Sequence, residues 1–146
     1  MTDAAIAIAC DHAGLDLKVD LAAVLRERGF DVIDLGTHGT ASVDYPDFAD
    51  ALAGALADGR ASRGILVCGS GIGISIAANR HKHVRAALCH DATSARLARE
   101  HNDANVLVLG ARTTGAEVAR DCLSTFLSTA FAAGERHARR VAKLGG

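Results

Sequence analysis

Five short runs of mainly Val, Ile, Leu and Ala, at residues 6–10, 32–35, 64–68, 85–89 and 106–109, punctuate a chain whose longer stretches place apolar residues every three or four positions. The short runs predict strands. The longer stretches predict amphipathic helices over 15–28, 45–58, 72–80, 92–101, 116–129 and 135–143. Alternation of the two kinds of element, with one further helix at the end, is the order that builds a parallel sheet with helices on both faces, so the expected fold class is α/β, a three-layer α/β/α sandwich. In such a sheet ligands bind outside the carboxyl ends of the strands, and chemistry should be sought there.

Irregular segments between these elements are short except for 36–44, and the single proline, Pro46, follows that loop where the first turn of a helix tolerates a missing N–H. No repeat, linker or low-complexity segment divides the 146 residues, and one domain spanning 1–146 is expected. Composition adds that the core is aliphatic, since 49% of residues are apolar but only 3% aromatic. A formal charge of −1 with basic residues dispersed except near the C-terminus argues against a nucleic-acid or membrane-surface partner and favours a small molecule. The first residues lack a secretion signal's positive start and no apolar run approaches the ~20 residues of a membrane span, so a cytoplasmic location is expected. Cys10, Cys68, Cys89 and Cys122 show no C-x-x-C spacing and are expected to be free thiols.

The third strand runs directly into Cys68-Gly69-Ser70-Gly71-Ile72-Gly73-Ile74-Ser75. Three glycines where a helix starts leave backbone N–H groups bare at its positive end, an arrangement that holds a phosphate or a developing oxyanion. A plain strand-to-helix turn is the bland alternative. The spacing is not G-x-G-x-x-G and follows the third strand rather than the first, which disfavours a dinucleotide site even though Asp91 lies at a suitable distance. Cys68, between strand end and helix start, occupies a place that favours a thiolate. Cys10, Cys89 and Cys122 are more simply buried core thiols.

Asp11-His12 closes the first strand and would face the Cys68 loop across the crevice if the sheet order reverses between strands one and three. Asp11 could equally cap a turn. Tyr45 and Ser70 are a helix-start and a turn residue that reach the same end of the sheet. His101-Asn102-Asp103-Ala104-Asn105 reads alone as a helix C-cap. Arg112 follows the fifth strand, and Arg136 and Arg140 sit one turn apart on the last helix, a spacing that suits a phosphate as well as a solvated face. His81 and His83 have no companions at ligand spacing, and no metal site is expected.

Taken together, Asp11-His12, Asp44-Tyr45-Pro46, the segment from Cys68 to Asn79, His101-Asn102-Asp103-Ala104-Asn105, Gly110-Ala111-Arg112 and Arg136-His137 resemble the type B ribose-5-phosphate isomerases and their relatives acting on galactose and allose 6-phosphates. The resemblance covers essentially the whole chain. Ser70 stands where many relatives have Thr, which preserves a hydroxyl. The resemblance implies a Rossmann-like sheet of order 2-1-3-5-4, a homodimer or dimer of dimers, a phosphorylated sugar as substrate and no cofactor. It also implies roles. His101, with Asp11, would open the furanose ring, and Cys68 would move a proton between C2 and C1 through a cis-enediolate, with Ser70 orienting the base. Backbone N–H groups from Gly69 through Ser70, Gly71 and Ile72 to Gly73 would hold the oxyanion. His12, Arg112, Arg136 and Arg140 would bind phosphate, and Tyr45 and Asn102 would line the sugar. A six-carbon aldose phosphate is the alternative substrate, and a noncatalytic phosphate-binding module the alternative class.

One expectation about assembly follows from the element order. Cys68 and Asp11 end strands, whereas His101 ends a helix that has returned to the beginning of the next strand, roughly five residues or ~17 Å away along a parallel sheet. A histidine side chain does not span that distance, so His101 is expected to serve the Cys68 crevice of a second copy.

Overall fold

The computed structural model describes residues 5–145. Five strands, β1 (Ala5–Cys10), β2 (Val32–Asp34), β3 (Ala61–Cys68), β4 (Ala86–Leu88) and β5 (Val106–Gly110), form one parallel sheet in the order β2-β1-β3-β5-β4. Six helices accompany them: α1 (Leu15–Glu27), α2 (Tyr45–Ala57), α3 (Ile72–Asn79), α4 (Ala92–Asn102), α5 (Ala116–Ser128) and α6 (Glu135–Lys143). This is the expected fold class and order. The pattern-based limits differ mainly at β3, which starts three residues before the predicted 64, and at β4, which contracts to three residues. A 3-10 turn, His12–Gly14, was not anticipated. No helix among the described residues is long and apolar enough to cross a membrane.

Strand alternation distributes the core. Ile6, Ile8 and Cys10 point to the face covered by α1, α4 and α5, where Leu21, Leu25, Leu123 and Phe126 are wholly buried. Ala7 and Ala9 point to the other face, under α2 and α3. Small residues there let α2 approach closely. A Cβ on Gly64 would stand 2.6 Å from Leu52 Cδ2, so that contact exists only because β3 carries glycine at this point. Val67 and Cys68 then fall on opposite faces, which directs Cys68 toward the α2/α3 side.

The irregular loop after β2 is fastened by a buried charge. Lys18 of α1 is 1% exposed, and its Nζ donates to Asp34 Oδ1 and to the carbonyl of Thr37, both at 2.7 Å. Gly36 N donates to the same Asp34 oxygen at 3.0 Å. Partial burial pushes the Asp34 carboxyl up, but the hydrogen bonds from Lys18 and Gly36 outweigh it and hold the group below its ordinary value. A carboxyl depressed in the folded state lends stability that is complete above its unfolded value near 4 and disappears as pH falls through the folded value. The tether should therefore loosen only in acid below about pH 4. Lys18→Met leaves Asp34 and Thr37 O without their donor and should cost about 3 kcal/mol of unfolding free energy, measured by denaturant titration at neutral pH. A cost under about 0.5 kcal/mol, the range of an ordinary surface substitution, would show the loop to be held elsewhere.

Candidate active site

Strand order reverses between β1 and β3, and the crevice opened there is a cavity of about 550 Å³ whose walls come from the ends of β1, β3 and β5 and the starts of α2 and α3. Asp11, His12, Tyr45, Cys68, Ser70 and Arg112 all reach it. Gly69, Ile72 and Gly73 line it as well.

Cys68 is 4% exposed, and its Sγ accepts a hydrogen bond from Gly71 N at 3.2 Å. The donor is available because Gly71 adopts φ +78° as the N-cap of α3, a conformation that a side chain would strain. Space forbids a side chain too, since a Cβ there would meet Leu88 Cδ1 at 2.5 Å. Ser70 Oγ accepts from Ile72 N at 3.2 Å, so the hydrogen bond on the thiol comes from Gly71 and not from Ser70. The Ser70 hydroxyl keeps its own proton free to donate. With Gly71 N and Ile72 N engaged, the first-turn N–H groups of Gly73 and Ile74 are the orphan donors of this helix start.

The other three thiols are buried away from the cavity. Burial pushes Cys10 up to about 11 despite nearby Lys18, and burial pushes Cys122 to about 11 and raises Cys89 as well. Each therefore stays a neutral core thiol at physiological pH.

Asp11 is 6% exposed, and its Oδ1 accepts from Ala13 N at 3.0 Å and Gly14 N at 3.2 Å, so it caps the 3-10 turn while lining the cavity. His12 Nδ1 accepts from Val43 N at 3.1 Å, which places the proton of the neutral ring on Nε2. Tyr45 lies against α3, where a Cβ on Gly73 would sit 2.5 Å from its ring. Arg112 is drawn over the glycine loop by the hydrogen bond from its own N to Gly69 O, 2.8 Å. A Cβ on Gly110 would come within 2.5 Å of the Ser70 backbone, so this glycine lets the β5 turn close on the cradle.

His101, Asn102, Arg136 and Arg140 do not line this cavity. Asn102 instead borders a separate hollow with Asn79, Arg85 and Ala86, at the beginning of β4. The turn that carries His101 and Asn102 is rigid for reasons visible in the rest of that motif. Asp103 caps α4 at φ +45°, and its carboxylate receives Arg99 Nη1 at 2.9 Å and Arg85 Nη2 at 3.5 Å. Asn105 accepts from Arg85 N at 2.7 Å and donates to His83 O at 2.8 Å. Arg136 and Arg140 are exposed and find no ion-pair partner among the described residues.

Two contributions were not legible in the sequence. Asn79 bonds both the N and the O of Ala86, at 2.8 and 2.9 Å, and so occupies an edge position of β4 that would otherwise be open. His137 stacks on His101 with ring centroids 4.6 Å apart. Asparagine at a helix end is too common to signal the first, and no spacing rule signals the second.

A nearly buried thiol beside the free N–H donors of a helix start, with an Asp-His pair and an arginine lining the same cleft, marks a doubly wound α/β protein whose cleft suits a small anionic ligand. The comparisons make the class specific: the Ribose/Galactose Isomerase family profile matches residues 6–144, and the chain belongs to that family. Ribose-5-phosphate isomerase B of Escherichia coli is 46% identical over 136 residues, 93% of this chain and 91% of that protein. A galactose-6-phosphate isomerase subunit of Clostridium acetobutylicum is 40% identical over 126 residues, 86% of this chain and 73% of that one. The solved structure of Clostridium thermocellum ribose-5-phosphate isomerase B superposes with a TM-score of 0.94 at 51% identity, covering 96% of this chain and 94% of that one.

Proposed function

We propose that this protein interconverts ribose 5-phosphate and ribulose 5-phosphate, with Cys68 as the base that moves the proton between C2 and C1. The observation that carries the reading is the Cys68 thiol held by Gly71 N–H at the head of α3, beside the free donors of that helix start. Membership of the isomerase family supplies the reaction class.

In the aldose direction, the ring form binds with its phosphate among His12 and the arginines. Opening it requires removal of the O1 proton and delivery of a proton to the ring oxygen, the work proposed for Asp11 and His101. Cys68 thiolate then takes the C2 proton. The resulting cis-enediolate places negative charge on oxygen, where the donors of the glycine segment and the Ser70 hydroxyl stabilise it. The protonated thiol returns the proton to C1, the O2 proton passes to O1, and the ketose is formed with no net gain or loss of atoms.

The group divided from the cavity in one chain is completed by a second copy. His101 on α4 and Arg136 and Arg140 on α6 form one cluster at the other end of the sheet, and a two-fold partner would bring that cluster to the Cys68 cleft and receive the reciprocal one. Exposed Ile72 and Ile76, 55% and 56% accessible on one face of α3 beside the cleft, give that partner an apolar seat.

Incubation of the purified protein with ribose 5-phosphate, ribulose 5-phosphate and allose 6-phosphate, with a chelator present, tests the reading. Turnover of the pentose pair is expected. Turnover of the hexose alone would move the assignment to the six-carbon branch, and conversion of neither would end it. Arg136→Ala and Arg140→Ala should each raise KM for the sugar phosphate roughly tenfold or more, with a smaller fall in kcat because the phosphate also positions the reacting carbons. Unchanged kinetics in both variants would make the pair a solvated face.

A further inference from the structure

His101 and His137 are carried by different helices, and neither imidazole makes a hydrogen bond among the described residues. What sets the plane of His101 is the ring of His137, tilted only 10° from it at a centroid distance of 4.6 Å. Several bonds build this contact. Arg99 Nε donates to Thr129 O at 3.1 Å, Arg99 Nη1 to Ala104 O at 2.6 Å, and Ala132 N to Glu100 O at 3.0 Å. The chain that leads into α6 is thereby tied to the last turns of α4, and Val141, 8% exposed, anchors α6 one turn beyond His137. The left-handed cap at Asp103 fixes the other ring's end of α4.

An exposed histidine with no partner samples several rotamers, whereas proton transfer to a ring oxygen requires one nitrogen within about 3 Å of it in a defined direction. Stacking supplies that restriction without occupying either nitrogen of His101. The charges around the pair favour a neutral neighbour. Arg136 and Arg140 flank it from α6, while Asp103 and Glu100 on the α4 side are engaged by Arg99 and Arg96. Partial desolvation first, then His101, Arg136 and Arg140, hold His137 below its ordinary value. A neutral ring beside His101 lets that residue gain and lose a proton without facing a second imidazolium.

We infer that His137 is a positioning residue for ring opening: its ring, stacked on His101, holds that imidazole in the orientation from which it serves the sugar ring oxygen. The inference rests on the role proposed above for His101. It predicts a directional defect, because an aldopentose 5-phosphate exists mainly as a ring whereas the ketose, with O5 esterified, is open-chain. Ring opening precedes the chemistry in one direction only.

The experiment measures kcat from ribose 5-phosphate and from ribulose 5-phosphate for His137→Ala, His137→Phe, His137→Gln and His101→Ala. His137→Ala should lower kcat from the aldose on the order of tenfold while kcat from the ketose stays within about threefold. His137→Phe, which keeps a flat ring but cannot bond or titrate, should restore most of the aldose rate, and His137→Gln should not. Rescue by Gln and not by Phe would mean that His137 acts through a polar contact, and equal loss in both directions would remove it from ring opening; either overturns the inference. A directional loss in His101→Ala with none in His137→Ala sinks the inference alone. Absence of a directional loss in His101→Ala removes the proposed role of His101 and the inference with it.

Discussion

Cys68→Ala is expected to lose aldose-to-ketose turnover by a factor on the order of 10³ or more while retaining binding of the sugar phosphate, because the substitution removes the proton carrier and leaves the phosphate and oxyanion donors in place. The expectation is sharp because no other thiol can substitute. Cys10, Cys89 and Cys122 lie in the core with values raised by burial, and none borders the cavity. The loss should fall on kcat with little change in substrate dissociation constant, measured by calorimetry with the inactive variant. Cys68→Ser is a useful companion, since it keeps the acceptor for Gly71 N–H but offers an alcohol far too weak as a base. If its turnover matched that of the native protein, proton transfer would have to be assigned elsewhere. Isomerisation in heavy water adds an independent reading: deuterium should enter the transferred position, unless the thiol is shielded from exchange, because the proton passes through an exchangeable group. Complete retention of the original hydrogen would point to such shielding or to a hydride shift.

The parts of the fold that repeat were the parts legible in the chain. A strand covered on both faces shows as an unbroken apolar run, as in 64–68, and the adjoining amphipathic stretches could only be its covering helices. Strand ends were harder, because β4 owes its limits to what surrounds it. Its first residue is paired by the Asn79 side chain, and the chain just before it is held by Asn105. Neither partner is marked as such in a local pattern. In the cavity, the glycine segment signalled a helix start with bare backbone N–H groups, and that helix start lines the cleft. The division of labour inside it was hidden, because the donor to Cys68 is a backbone N–H whose direction depends on the left-handed conformation at Gly71. Ser70, the residue with a visible hydroxyl, turned out to be bonded to Ile72 instead. His137 illustrates the same limit at longer range: its partner His101 is 36 positions earlier, and only the packing of α6 against α4 brings the rings together.

Refolding a mixture of Cys68→Ala and His101→Ala chains should return about a quarter of the native turnover of ribose 5-phosphate, although each variant alone is nearly inactive in that direction. Cys68 pairs with Gly110 at the carboxyl ends of β3 and β5, and Gly64 pairs with Val106 at the amino ends, four steps or about 13 Å away. His101 precedes even Val106 and points into a cluster with His137 at that far end, so it cannot touch the thiol of its own chain. In a two-fold dimer each cleft takes Cys68 from one subunit and His101 from the other. A mixed dimer then has one cleft lacking both groups and one cleft holding both. Random pairing makes half the dimers mixed, and half of the clefts in those are intact, which gives the quarter. Mixing Cys68→Ala with Arg136→Ala chains should likewise produce clefts of native KM, because α6 travels with α4. Subunit exchange is verified separately by mass spectrometry of chains with distinguishable masses. If exchange is complete and activity stays at the level of the separate variants, Cys68 and His101 act within one chain and the sharing is refuted. Recovery near a quarter cannot arise from same-chain sites, since no chain in the mixture carries both groups.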